Sequence, residues 1–442
     1  MTVSVAISIL GIFLGLFVIG FGAFRRWGAL PLSLAATAIV ALTSRLDLWQ
    51  AFSETYIGGY TNTFATYFLI FLTTCLYSKL MTESGCAMSL GLKLRDIFGK
   101  ERVMTACCVA AAILTYAGIS AFVLSYVMVP IMWTLFKDAD IPRKLTICPI
   151  MFGCSTFVLG CTPGCTEMTN LNPALALGTP LTAAPLMSVI CMVFLIAAGL
   201  WYSNRQVRLA KARGEHFSFP DGVDPAKYDI NAANVPPVWK ALLPTVVLCV
   251  MIIGGAHFVS NTRLLVVGTM LVCNFICLAL NFKTLSEAGL AEMITTGLET
   301  AIMVVASFAA VLSFAAVAQT SEGFQFMIAG MLGWKLPIYV KVVLYTMITS
   351  GLLGSSASGS RVAINSIADT IIASGVNLEA AHRLVSIAST TVDTLPYCAA
   401  LFAQLRMLQL SHKESYRHIF MLTVVQTGIA CLLALALAFL LY

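Results

Sequence analysis

Two carboxylic acids, Glu167 and Asp393, interrupt long apolar runs of this chain. Glu167 lies in "GCTPGCTEMTNLNP" (160–173) and Asp393 in "STTVDTLP" (389–396). A carboxyl group taken out of water favours its neutral form, so it can load and release a proton under ordinary conditions. Each is therefore a candidate for proton or cation coupling, against the plainer role of a hydrogen-bonded or arginine-paired structural acid. Two further interruptions share the same vocabulary. One is "GSSASGSRVAINS" (354–366), and the other centres on Gly118–Ser120 within "TYAGISAF".

Small hydroxylated and glycine residues dominate all four stretches. An interrupted helix exposes N–H groups at the start of its second half, and these attract anions through free donors and dipole together. Glycine allows close backbone approach, Pro163 and Pro396 break the helical ladder, and serine and threonine hydroxyls donate or accept as needed. Arg361 adds a planar fork able to grip a carboxylate. It has alternatives: a structural pair with Asp369 or Asp393, or extension to the outer interface. The chemistry suits a small organic anion bearing hydroxyl groups. The candidate binding residues are Gly118, Ser120, Thr162, Gly164, Ser356, Ser358, Gly359, Arg361, Asn365, Thr391 and Thr394, with Glu167 and Asp393 for coupling.

Other chemistry is poorly served. Cys161 and Cys165 have no nearby histidine or further cysteine at metal-ligand spacing, so no metal is expected. His216, His412 and His418 fall in predicted cytoplasmic loops and His257 and His382 near the outer interface, which leaves no buried histidine relay. No nucleotide-binding loop or hydrolase signature occurs. A serine nucleophile at the glycine-rich stretch would lack a general base, so an enzyme is not expected, and no cofactor beyond a coupling ion, H⁺ or Na⁺.

The elements that must position these residues follow from composition. The 442 residues are 59% hydrophobic and 10% charged, with mean hydropathy +0.90, which places the chain among integral membrane proteins. Apolar runs of bilayer length without strand alternation make it all-α. Spans are predicted near 3–22, 28–43, 61–80, 145–165 and 183–202, then near 239–258, 264–282, 298–320, 381–409 and 418–441. Interrupted pairs at 103–136 and 337–374 read as re-entrant hairpins or paired spans, with interfacial helices at 82–100 and 321–335.

Three units result: 1–202, a polar linker at 203–238, and 239–442. An odd number of spans per half turns the second half upside down, an inverted repeat whose matched broken elements point to a transport site. Of the 26 basic residues, only Arg45, Arg263, Lys335, Lys341 and Arg383 fall on the predicted outer side and Arg361 at a break. Both termini are then outside. The net charge of +6 reads as topology rather than nucleic-acid binding. No basic residue precedes the first apolar run, which reads as a span instead of a signal peptide. The 14 cysteines sit mostly in apolar runs and imply no disulfide framework.

In "ESGCAMSLGLKLRDIFGKERV", "ILTYAGISAFVLSYVMVPI", "LGCTPGCTEMTNLNP", "GSSASGSRVAINS" and "SIASTTVDTLPYCAALFAQLRMLQLSHKESY" the chain resembles the gluconate permease (GntP) family, in particular its branch of hydroxybutyrate or short organic acid permeases. The resemblance runs in order through nearly the whole chain. It implies an ion transporter superfamily fold, with a scaffold, a moving part that holds the hairpins, and proton-coupled uptake of hydroxylated monocarboxylates. Gly118, Ser120, Pro163, Gly164, Ser356, Ser358, Gly359, Asp393, Thr394, Leu395 and Pro396 match the family's hairpin tips and helix breaks. Two departures stand out: Tyr397, Cys398 and Ala399 follow the Asp-Thr-Leu-Pro stretch where relatives often have His-Asn-Gly, and Glu167 stands where relatives tend to carry Gln.

The expectation is a secondary active proton symporter for anions such as gluconate or 3-hydroxybutyrate, working by alternating access, with a Na⁺-coupled carboxylate symporter as the alternative. Its partners would be the substrate and the lipid bilayer, with a homodimer a possible assembly. The expected place is a bacterial inner membrane.

Overall fold

Every regular element is helical, as the bilayer argument requires. The computed structural model describes residues 2–116, 121–165, 167–220, 222–225, 235–255 and 262–442, and among these there is no strand. Gly118 and Ser120 lie outside the described residues. Among the described residues, six helices are long and apolar enough to cross a membrane: Val3–Phe24, Gln50–Glu83, Pro185–Ala212, Arg263–Leu280, Leu290–Thr320 and His412–Leu441. Three shorter apolar helices join them, Ala29–Thr43, Val238–Met251 and Ile338–Leu353. The chain is an integral, polytopic membrane protein.

The first half runs α1 (Val3–Phe24), α2 (Ala29–Thr43), α3 (Ile57–Glu83, continuing a π-helical segment Gln50–Tyr56), α4 (Cys86–Phe98), α5 (Val103–Tyr116), α6 (Ala121–Asp138), α7 (Ile147–Cys154), α8 (Phe157–Gly160), α9 (Met168–Leu177) and α10 (Pro185–Ala212). The second runs α11 (Val238–Gly255), α12 (Thr262–Leu280), α13 (Phe282–Glu287), α14 (Leu290–Thr320), α15 (Glu322–Leu332), α16 (Ile338–Leu353), α17 (Ser356–Ala373), α18 (Leu378–Ser389), α19 (Ala399–Met407), α20 (His412–Ile419) and, after a second π-helical segment, α21 (Gln426–Leu441). Apart from the short α13, the order matches: three helices, a short one, a helical pair, an interrupted helix and a long terminal helix.

Packing separates two groups. In the first, α3 lies along α14, α2 packs on α14, and α12 on α3, with α1 on α2 and α11 on α12. In the second, the pairs α5–α6 and α16–α17 and the interrupted helices meet: α5 on α7, α16 on α18, α17 on both α9 and α18, and α21 on α10 and α18. The groups touch where α6 meets α3 and α19 meets α14. That seam is apolar, built from buried Phe71, Cys75, Val304, Phe308, Ala399 and Ala403.

Two boundaries differ from expectation. The helix α10 continues to Ala212, so the linker begins about ten residues later than 203. Arg205, Arg208 and Lys211 ride on this extension, where straight-chain cations favour helix. The glycine–serine stretch is interrupted only at Gly354 and Ser355, and Ser356, Ser358, Gly359 and Arg361 are already helical. The predicted span at 381–409 is interrupted where its polar stretch was read: α18 and α19 flank irregular backbone at 390–398.

Candidate functional site

The site is assembled from two helix interruptions and the tip of one helical pair. At that tip α16 ends on Gly354, whose left-handed backbone (φ 56°) reverses the chain. Ser355 then caps α17, its Oγ accepting from the Ser358 amide at 3.3 Å. The pair closes tightly. A Cβ on Gly359 would stand 2.3 Å from the Ser350 Cα, and Thr349 Oγ1 donates to the Gly359 carbonyl at 3.1 Å.

The loop between α18 and α19 presses on this tip. Tyr397 OH donates to the Gly351 carbonyl at the end of α16, at 2.8 Å, beside the Gly354 amide that donates to the same oxygen. Asp393, buried at 7% exposure, sets its carboxyl group beside the amide and hydroxyl of Ser356. Its Oδ1 is buried without a partner. Thr394 Oγ1 and Thr423 Oγ1 share a hydrogen bond of 2.5 Å, while Thr391 Oγ1 turns back to the Ala388 carbonyl at 2.7 Å.

The first interruption arrives from the other side. Asn172, on α9, donates from Nδ2 to the Ala357 carbonyl at 3.0 Å and to Ser360 Oγ at 2.9 Å. These two bonds tie the first half's broken helix to the second half's tip. Thr162 Oγ1 donates to the Phe157 carbonyl at 3.0 Å, and Gly164, at φ +77°, donates its amide to the Leu181 carbonyl at 3.1 Å. Glu167 is half-buried at the N-cap of α9. Cys154, on α7, feels the charges of both Glu167 and Asp393.

Ser358, Arg361 and Asn365 occupy an exposed face of α17, at the three- and four-residue spacings that put side chains above one another. Arg361 forms no ion pair with Asp369 or Asp393, nor with any other acid among the described residues. Tyr67 of α3 lies within electrostatic range of Arg361, Glu167 and Arg263, so Arg361 and Glu167 share Tyr67 as a neighbour. Of the candidate set, Asp393, Ser356, Gly359 and Thr394 come together at the tip. Thr162 and Gly164 are engaged in holding the first interruption's own loop.

Sequence reasoning missed a buried polar cluster behind the site. His382 and Arg383 were expected near the outer surface, yet both are fully buried. Arg383 donates from Nη1 to the Gly160 carbonyl at 3.2 Å, from Nη2 to Leu181 at 3.2 Å, and from Nε and Nη2 to Ala183 at 3.2 and 3.1 Å. His382 Nε2 donates to Asn170 Oδ1 at 2.8 Å, because the Asn170 amide nitrogen is already spent on two carbonyls, and its Nδ1 lies 2.6 Å from Thr179 Oγ1. Glu379 Oε2 accepts from the Ala184 amide at 2.9 Å. The signal was present: Glu379, His382 and Arg383 fall at i, i+3 and i+4 behind the capping Asn377. His412 and His418 are likewise buried at helix positions rather than in loops.

A cavity of about 610 Å³ lies between the groups, lined by Arg26, Trp27, Ser307, Phe402, Arg406 and Glu414 among others. It reaches from the Arg26–Glu414 pair, 3.8 Å apart, to the middle of α14 and the face of α19.

No family model matches the chain. It is 25% identical to the uncharacterized transporter YxjC of Bacillus subtilis (strain 168), over 94% of this chain and 96% of that protein. A crystal structure of the Alcanivorax borkumensis YdaH transporter covers 97% of each chain at 14% identity, with a TM-score of 0.45. The chain is thus an integral membrane protein that resembles, along nearly its whole length, a protein named as a transporter.

Proposed function

We propose that this protein is a secondary active transporter of small hydroxylated organic anions, such as gluconate or 3-hydroxybutyrate, coupled to protons and working by alternating access. The observation that carries this reading is the convergence of both interrupted helices on one tip, through Asn172 and Asp393. In a bilayer, irregular backbone persists only where protein buries it or water reaches it. Polar interruptions that meet at one point are therefore suited to handling a polar cargo. The matched order of α1–α10 and α11–α21 supports an inverted repeat. The YxjC likeness supports transport, and the resemblance to the gluconate permease family supports the substrate class.

In this reading the α17 face with Ser358, Arg361 and Asn365 receives the anion, and Asp393 and Glu167 handle the coupling ion. Gly118, Ser120, Thr162, Gly164, Thr391 and Thr394 complete the proposed lining. Na⁺ coupling is the second reading, favoured by the close Thr394–Thr423 hydroxyl pair next to an acid. The bacterial inner membrane, both termini outside, is the proposed setting.

Arg361 supplies the test. Charge-assisted hydrogen bonds contribute about 1.5–3 kcal/mol. Arg361→Gln should therefore raise the Kd of 3-hydroxybutyrate or gluconate by about ten- to a hundredfold, measured by calorimetry on folded protein. Arg361→Lys should recover only part of the loss, because a point charge cannot make the paired contact. An unchanged Kd in both variants would remove Arg361 from the site.

A further inference from the structure

The N-terminus of α17 is already faced by an anion of the chain's own. In an α-helix the first amides have no intrahelical acceptor; here the Ser355 side chain serves Ser358 and its carbonyl serves Gly359. Those of Ser356 and Ala357 are left over. The Asp393 carboxyl group stands at the first of them and at the Ser356 hydroxyl. Asp393 is 93% buried, and Oδ1 has no partner. No lysine, arginine or histidine is within ion-pair distance of it among the described residues. The titratable groups facing it are the Cys154 thiol from α7 and the Cys398 thiol of its own loop; α17 contributes the neutral Ser356, and Thr394 joins the loop to Thr423.

A helix start with donors to spare is an anion site, but two carboxylates cannot both sit there ionised without a cation between them. We propose that Asp393 is the internal occupant of this site: as a carboxylate it holds the α17 N-terminus, and a substrate carboxylate replaces it only once Asp393 has taken up a proton. This rests on the organic-anion reading above. One proton passes from solution to Asp393 for each carboxylate that binds. The protonated acid then has an O–H to donate, to the incoming carboxylate or to its own surroundings. Proton and substrate are coupled because they compete for the same helix end in opposite senses.

The experiment uses full-length purified protein. With 3-hydroxybutyrate and gluconate as probes, calorimetry in buffers of different ionisation heat should show wild type taking up about one proton per anion, and Kd rising about tenfold per pH unit on the alkaline side. Asp393→Asn should bind with no proton uptake and no such slope. Hydrogen exchange of the 352–359 segment, which needs no ligand, should be faster in Asp393→Asn than in wild type. Ser356→Pro gives an independent check: Ser355 is extended (φ −157°, ψ 118°), so proline fits at the first helical position yet removes both donors. It should speed exchange in the same segment.

Proton uptake that survives in Asp393→Asn, while the anion still binds, would overturn the proposal and leave the organic-anion reading standing. If neither anion nor any other small monocarboxylate binds wild type, both fall, and an exchange difference would then mark Asp393 as a structural cap alone. Equal exchange in wild type and both variants would also overturn it.

Discussion

Arg383 shows how a single side chain sets the geometry of this site without touching its cargo. A wholly buried guanidinium satisfies three carbonyls on two segments, at Gly160, Leu181 and Ala183, where the chain leaves helical structure on either side of α9. Removing it leaves the Gly160 carbonyl without its donor, at about 1–3 kcal/mol, while the Leu181 carbonyl keeps the Gly164 amide and Asn170 Nδ2 and the Ala183 carbonyl keeps the Ser188 hydroxyl. Arg383→Met should accordingly destabilise the purified protein by about 1–3 kcal/mol, seen as an early thermal transition, with the proposed transport lost in the same step. Gly359→Ala makes a second case. A methyl group 2.3 Å from the Ser350 Cα must push α17 away from α16 at a cost of about 1–3 kcal/mol, and a melting temperature equal to wild type would contradict that packing. At this scale the sequence was only partly legible. Glycine, proline and the two acids declared the interruptions, because few other residues serve at such places in an apolar run. Arg383 was misread because counting charges by side assigns a cation to water, whereas here backbone carbonyls are its solvent.

Among the elements, α17 carries the clearest lesson. Its glycine and serine content reads as irregular, since these residues are poor helix formers. Yet the Ser355 cap, the left-handed Gly354 and packing on α9, α16 and α18 hold it helical from Ser356. Tertiary contacts override the local preference, and the break shrinks to two residues. Apolar run lengths located the long helices well, because bilayer thickness and composition leave little choice there. They failed at α10, which continues into polar sequence. Past α10 the chain docks on the second group rather than hanging free. Asp140 accepts from the Phe217 amide at 3.0 Å and pairs with His216 at 2.7 Å, and these contacts, the amide foremost, hold its carboxyl group below the usual carboxylate value. A depressed acid stabilises the docked form above its ordinary pKa and loses that effect as pH falls through the lowered value. Docking is therefore favoured at neutral pH over acid pH. Asp140→Asn should expose the bond after Arg213 to trypsin at pH 8, in a limited-digestion time course, while wild type stays protected; equal cleavage rates would mean that the segment is held otherwise.

For the whole molecule, the seam between the two groups decides what motion is available. It is lined by apolar side chains, and a Ser78 hydroxyl on α3 donates across it to the Tyr126 carbonyl on α6 at 2.8 Å. The Arg26–Glu414 pair is largely exposed on its arginine side, and such pairs add little stability. In the proposed alternating access, such a seam, with few polar ties among the described residues, would let one group slide on the other, and all the gathered interruptions belong to the same group. The two-part order was legible from repeated element lengths. Which helices form which group was not, because apolar faces look alike to a sequence whether they meet lipid or protein. The most direct measurement is accumulation of radiolabelled 3-hydroxybutyrate and gluconate in proteoliposomes under an imposed inward proton gradient, with and without external Na⁺. The prediction is accumulation beyond equilibrium that needs no Na⁺ and collapses with a protonophore. Accumulation that requires Na⁺ and ignores the proton gradient would contradict proton coupling, and no movement of either acid by folded protein would contradict the proposed cargo.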